Sequence, residues 1–347
     1  MVKKKTLVIL FLLLVAITIG LIVAGLFLNK TENEKLQGLS QYYDVSSKNT
    51  IAYVMYRDGI PALRLYNKDE AINAEAIKLT SEQMILDPSF SPDGSTLAFI
   101  STFKDMKSEL KSSVHLLDLR TQEIRELFNV PYIVTEIEYS PIGNSLFYLQ
   151  AGTFENYSPI ASERPHDMDI LEYDLVQENH TQITNLKKYN MNSLTIAPDA
   201  KSVYVVMDDD ADAETAEEIF NTKQRVFNIS FDHPENPTIA SDIEREEDIF
   251  SFTFTPTGNE MIFNSISNVD SGDTFQYELY RYNVDTKEEK QLTNLESYST
   301  DPVIGHDGKT IYFMVDQNFG KRTPQYHLYK MTMDGNGLEE ITLPNIN

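Results

Sequence analysis

The chain has 347 residues, 41% of them hydrophobic and 24% charged, enough apolar material for one large domain or two ordinary ones. Its net charge of −24 repels phosphate backbones and argues against nucleic acid as a partner. With no cysteine at all, disulfides, thiolate metal sites and an N-terminal lipid carried on cysteine are excluded.

Residues 6–28, "TLVILFLLLVAITIGLIVAGLFL", form a run of 23 residues without a charge. About 20 apolar residues suffice for a helix to cross the hydrocarbon core of a bilayer, so the run predicts a transmembrane helix. Lys3, Lys4 and Lys5 precede it and should stay on the cytoplasmic side, which sends the remainder outward. A cleaved signal peptide has a shorter apolar region and an A-x-A-like site. "VAG" at 23–25 is a poor match to that site, so an uncleaved anchor is the expectation. Ala16, Gly20 and Ala24 have the spacing of a helix-packing stripe, which such helices often carry by chance. The expected organisation is a cytoplasmic tail at 1–5, the membrane helix at 6–28, a linker at 29–40 and one exported domain at 41–347. The "NKT" at 29–31 fits a glycosylation pattern too common to carry weight.

Beyond the linker a unit repeats. "SPDG" at 91–94 has the residues of a type I turn, and "SPIG" at 140–143, "APDA" at 197–200, "TPTG" at 255–258 and "GHDG" at 305–308 follow at intervals of 49, 57, 58 and 50 residues. Three residues past each turn comes an apolar residue that opens a strand: Leu97, Leu146, Val203, Met261 and Ile311. A third strand ends in a polar residue at Asp118, Asp174, Asn228, Asn283 and Thr332. Ten residues later stand Phe128, Thr184, Thr238, Thr293 and Thr342. A degraded first copy, with its turn at 46–49, precedes these five and brings the total to six. Four-stranded units repeated radially predict an all-β, six-bladed β-propeller of antiparallel blades, preceded by one transmembrane helix.

"DPSFSPDGSTLAFIS" followed by "LLDLRTQEIREL" resembles the WD40-like repeat of TolB-type propellers, which also occurs in the propeller domains of prolyl-oligopeptidase-like enzymes. The resemblance implies the propeller and a role in protein contacts at the cell envelope.

In such a blade the turns join strands one to two and three to four on one face, while the longer connections open on the other. Those connections lie near 102–112, 150–169, 208–224, 265–276 and 316–325, and long loops on a rigid scaffold are where binding usually sits. Phe103, Phe154, Tyr157, Phe275 and Phe319, with Lys321 and Arg322, are therefore the candidate partner-binding residues of that face. The competing expectation is that each aromatic tucks under its own loop.

No metal site or other cofactor is expected. Asp208, Asp210 and Asp212 alternate as in a calcium loop, but Ala213 and Ile219 replace the glycine and glutamate it needs. His166, Asp167 and Asp169 cluster without a ligand spacing. No G-x-S-x-G elbow occurs, nor residues for a catalytic domain beside the propeller, so no enzyme is expected. The expectation is a membrane-anchored, extracytoplasmic interaction or scaffold module whose partners are envelope proteins. The alternatives are a cell-wall or exopolysaccharide glycan binder, and a metal-dependent carbohydrate-active propeller enzyme.

Overall fold

The computed structural model describes residues 4–28, 35–106, 110–155, 163–211, 213–215, 217–218, 221–272, 274–321 and 323–344. Its organising feature is the repeated turn. In all six copies the amide of the fourth residue donates to the carbonyl of the first: Asn49 to Ser46, Gly94 to Ser91, Gly143 to Ser140, Ala200 to Ala197, Gly258 to Thr255 and Gly308 to Gly305, at 2.7–2.9 Å. That fourth residue is left-handed each time, from φ 54° at Ala200 to 73° at Gly143. Glycine reaches this region freely and asparagine tolerates it. The first copy, which had lost proline and glycine, thus keeps its turn through Asn49 (φ 61°).

Each turn joins an inner strand to the second of four antiparallel strands. The blades cover 38–78, 83–130, 133–182, 191–239, 251–291 and 298–340. The fifth and sixth are further linked by one parallel bridge, Tyr277 to Tyr298. The inner strand of the first blade begins at Gly38, a little before the expected boundary.

Burial explains the ring. A four-stranded sheet cannot cover both of its faces, and here six apolar clusters fill the six gaps between neighbouring blades. Ala52, Leu63 and Phe99 lie between blades one and two, and Ile137, Leu146 and Phe128 between two and three. Leu149, Ile170 and Val205 join three to four, Val206, Ile249 and Phe263 four to five, and Ile262, Leu279 and Phe313 five to six. Tyr43, Tyr53, Met314 and Leu328 close six onto one. Each fully buried large side chain contributes roughly 1.5–3 kcal/mol, so every gap is a substantial adhesive surface. The ring closes through side chains, because blades one and six each draw their four strands from one continuous stretch.

Two threonines at one recurring position of the repeat find their cause in hydrogen bonding. Thr184 and Thr293 are buried and take the amides of Ile170 and Leu279 while donating to Asp169 and Glu278. The hydroxyl is there to satisfy a buried backbone group.

Before the first blade, Lys4–Leu28 is helical, as the apolar run predicts. The side chains from Val8 to Ile22 are exposed. Among the described residues no helix is long and apolar enough to cross a membrane, so the expected transmembrane span is not supported.

Candidate functional site

The six inner strands surround a central channel, and residues polar at all positions but Val303 line it in two rings set by the turn. Four residues before each turn stand Tyr42, Asp87, Glu136, Ser193, Ser251 and Asp301; two residues before stand Asp44, Ser89, Glu138, Thr195, Thr253 and Val303. Alternate residues of a strand share a face, which is why both sets point inward. All but Ser89 line a cavity of about 470 Å³ whose rim includes Ser46, Ser91, Pro92, Pro256 and His306, so it opens on the face of the short turns.

Bulges shape the strands at this level. The pairing slips between Leu86 and Ser89, between Asn192 and Thr195, and between Thr300 and Val303. Asp87, Ser193 and Asp301 sit inside these slips with φ of 37°, 57° and 49°. A bulge re-aims the side chain it carries.

Three of the carboxylates hold the next blade. Phe90 N–H donates to Asp44 Oδ2 at 2.7 Å, Ile137 N–H to Asp87 Oδ2 at 2.6 Å, and Ser193 and Leu194 N–H to Glu136 Oε1 and Oε2 at 3.0 and 2.7 Å. Glu138 reaches back to blade two, accepting from Ser89 Oγ at 3.3 Å. Toward the sixth blade the bonds are made by neutral groups: Ser251 Oγ accepts from Asp301 N–H at 3.1 Å, and Asn264 Nδ2 donates to the Ser299 carbonyl at 3.0 Å.

Electrostatically the channel is one-sided. Among the described residues its walls carry five carboxyls and neither lysine nor arginine. Each carboxyl is enclosed by the blades while keeping partial exposure to the channel. Burial pushes Asp44 up to about 6. Burial, with the charge of Glu136, pushes Asp301 to about 7, and burial with Asp44 pushes Glu138 to about 8. Asp87 is raised well above the ordinary range by burial and then by Glu136, and Glu136 is raised by burial against the pull of its two amide bonds. Asp44, Asp301 and Glu138 are thereby moved toward the neutral range useful for acid and base work. They are spread around the wall: among the described residues no group of three His, Asp or Glu is placed to hold a metal ion.

The residues singled out from sequence fall elsewhere. The third blade's second and third strands run as a long hairpin, Ser145–Glu155 against Arg164–Asp174, where a loop was expected. Phe154 therefore sits on a strand and packs against the cluster between blades three and four. Phe103 ends a strand, half-buried and paired with Gln83. Phe319 stacks on Tyr298 (centroids 4.7 Å apart) and meets Tyr277 edge-on, so it does tuck beneath its loop. Phe275 is 48% exposed, and Lys321 is exposed. These last two are brought near one another, since Gly320 abuts Thr274. The candidate aromatics thus belong to separate places and form no continuous rim.

Tyr157, Arg322 and Asp212 lie outside the described residues. Asp210 pairs with Lys188, and Asp208, at a strand end, is raised by burial and by Asp210. His166 Nδ1 lies 3.0 Å from Asp167 Oδ1. Asp169 is buried and accepts from Thr184 Oγ1 and Leu186 N–H, a structural set of bonds. The channel acids were missed in the sequence reading, although polar residues at fixed offsets before every turn were there to be seen.

No family model matches the sequence, and no curated protein matches it either. Solved structures do resemble the fold. TolB from Acinetobacter baumannii is 18% identical with a TM-score of 0.59, over 82% of this chain and 61% of that one, so the chain spans less than two thirds of that protein's length. A putative TolB from Agrobacterium tumefaciens is 16% identical at TM-score 0.57, covering 80% of this chain and 87% of its own. An oligogalacturonate lyase in complex with manganese is 15% identical at TM-score 0.57, covering 89% and 78%. The chain is an all-β protein of four-stranded antiparallel sheets similar to TolB propellers.

One expectation is corrected by this company. A prolyl endopeptidase and an acylaminoacyl peptidase, each 13% identical, share the propeller with the lyase. The fold occurs in enzymes as well as in TolB, so the inference from a missing hydrolase motif to a protein that is no enzyme does not hold.

Proposed function

We propose that this chain is a β-propeller held at the outer side of a cell membrane by its N-terminal helix, where it serves as a platform for protein partners of the envelope. The observation that carries the reading is the helix itself. Lys4–Leu28 presents exposed apolar side chains from Val8 to Ile22, with lysines only at its start. Exposed apolar surface on that scale needs a cover, and lipid is the cover that suits a helix apolar all round. The lysines put its first end in the cytoplasm.

Confinement to a membrane raises the local concentration of any partner held there, so modest contacts suffice. The patch best suited to them is on the long-loop face of blades five and six, where Val269 and Phe275 are exposed beside Lys321. Photo-cross-linking from a residue introduced at Phe275 of the full-length protein, in intact cells, tests this. A discrete envelope protein joined from Phe275 and not from Ile142, an exposed residue of a short turn, supports the reading. No adduct from Phe275, or an equal smear from both positions, overturns it.

A further inference from the structure

The channel's carboxylates do two opposed things. As acceptors, Asp44, Asp87 and Glu136 tie blade one to two, two to three and three to four. As charges, they crowd with Glu138 and Asp301 into one cavity that no lysine or arginine lines. Like charges across a cavity walled by protein repel far more strongly than across water. The bonds pull this arc of the ring together and the charges push it apart.

We propose that the channel is a proton-dependent latch on the arc formed by blades one to four: protons on the carboxyls let the arc close tightly, and their loss loosens it. The hydrogen bonding leaves room for a proton on two of the carboxyls. Asp87 holds Ile137 through Oδ2, and Glu138 takes Ser89 through Oε2, so each can carry a proton on its other oxygen without breaking the tie. Asp44 and Glu136 accept amide hydrogens on both oxygens, so they act as ties while Asp87 and Glu138 take the protons. The latch is asymmetric, because the fourth and fifth inner strands contribute Ser193, Thr195, Ser251 and Thr253, none of which titrates in this range.

Titratable groups face the channel from four of the inner strands and from the last turn. The first inner strand brings Tyr42, Tyr43 and Asp44, the second Asp87, the third Glu136 and Glu138, the sixth Tyr298 and Asp301, and the last turn His306. Tyr56, Tyr312, Tyr326 and Asp316 stand just behind them. The tyrosines are raised above their ordinary range by burial and stay neutral. No lysine or arginine is among these groups to cancel the carboxylates.

The direction follows from linkage. A carboxyl raised in the folded state favours folding at low pH, and that contribution is lost as pH rises through the folded value. For Asp301 and Glu138 the loss begins above about 4, where the unfolded carboxyls ionise, and is complete near about 7 and about 8.

The test is thermal unfolding of the full-length protein in detergent between about pH 5.5 and about pH 8.5, in salt of about 0.5 M to screen surface charge. The midpoint is expected to rise by several degrees as pH falls. Asp87→Asn keeps an acceptor for Ile137 and removes the charge, so it should raise the midpoint at the alkaline end and flatten the slope. Asp285→Asn, on an exposed turn, should leave the slope unchanged. A midpoint that is flat or falls as pH falls, or a slope untouched by Asp87→Asn, overturns the proposal. Should Asp87→Asn fail to fold, Glu138→Gln and proton uptake on refolding of the unaltered protein replace it. Folding near neutral pH must then take up protons, and no uptake overturns the latch.

Discussion

Tyr43 donates its phenol hydrogen to the backbone carbonyl of Asp301 at 2.7 Å, joining the first blade's inner strand to the sixth's across 258 residues of chain. Beside it Tyr326 donates to Gln41 Oε1 at 3.1 Å. Among the described residues no strand crosses this seam; these bonds, that of the Tyr53 hydroxyl to the Pro344 carbonyl at 3.5 Å, and the apolar cluster around Tyr53 and Met314 close the ring.

Replacing Tyr43 by phenylalanine keeps the ring's bulk and leaves the Asp301 carbonyl short of a partner. The expected loss is roughly 1–2 kcal/mol, read as a lower midpoint in urea at an unchanged slope. A change in slope instead would mean that the seam opens before the rest.

Ala200 holds the left-handed position that glycine holds in four of the other turns, at φ 54°. Ala200→Gly should stabilise by about 0.5–1 kcal/mol through relief of that strain. Gly94→Ala should do the reverse, because φ is 65° there and a new Cβ would lie 2.8 Å from Ser47 Oγ. Paired thermal melts of the two variants check the opposite signs.

Glu278 is buried and accepts three bonds, from Thr293 Oγ1 at 2.5 Å and from the amides of Leu295 and Glu296 at 2.7 Å. Glu278→Ala strands those donors and should cost on the order of 2–4 kcal/mol. Glu278→Gln keeps an acceptor oxygen and should cost clearly less. Equal losses would show that packing, and not the bonds, is what matters.

Phe319 and Phe275 separate structure from contact. Phe319→Ala removes a ring stacked on Tyr298 and edge-on to Tyr277, and should lower stability by about 1–3 kcal/mol. Phe275→Ala removes a half-exposed ring and should leave the melt within about 0.5 kcal/mol while weakening partner cross-linking.

The fold was legible in the sequence because every turn repeats its own chemistry. A proline, an aspartate and a glycine in order announce a hairpin, and Asn49 sustains the first copy by an intrinsic tolerance that sequence alone can suggest. The extension of the third blade's hairpin was not legible, since residues 164–169 read as a polar loop and become strand through pairing with Ser145–Glu155. The channel acids were not legible for a different reason. Attention to long loops passed over Asp87 and Asp301, each four residues before its turn, whose importance appears only when six inner strands converge on one axis. Phe154 shows the complement: an aromatic residue that looked fit for a partner is spent on the interface between two blades.

The account depends most on the side of the membrane at which the propeller stands. The chain has no cysteine, so Val176→Cys, at an 81% exposed turn of the third blade, creates a single reactive thiol. A maleimide that cannot cross membranes is applied to intact cells with an unsealed outer envelope layer, and again after lysis. Full labelling before lysis, with the protein sedimenting with membranes, is the expected result. Labelling only after lysis, or a protein that stays in the soluble fraction, would contradict it.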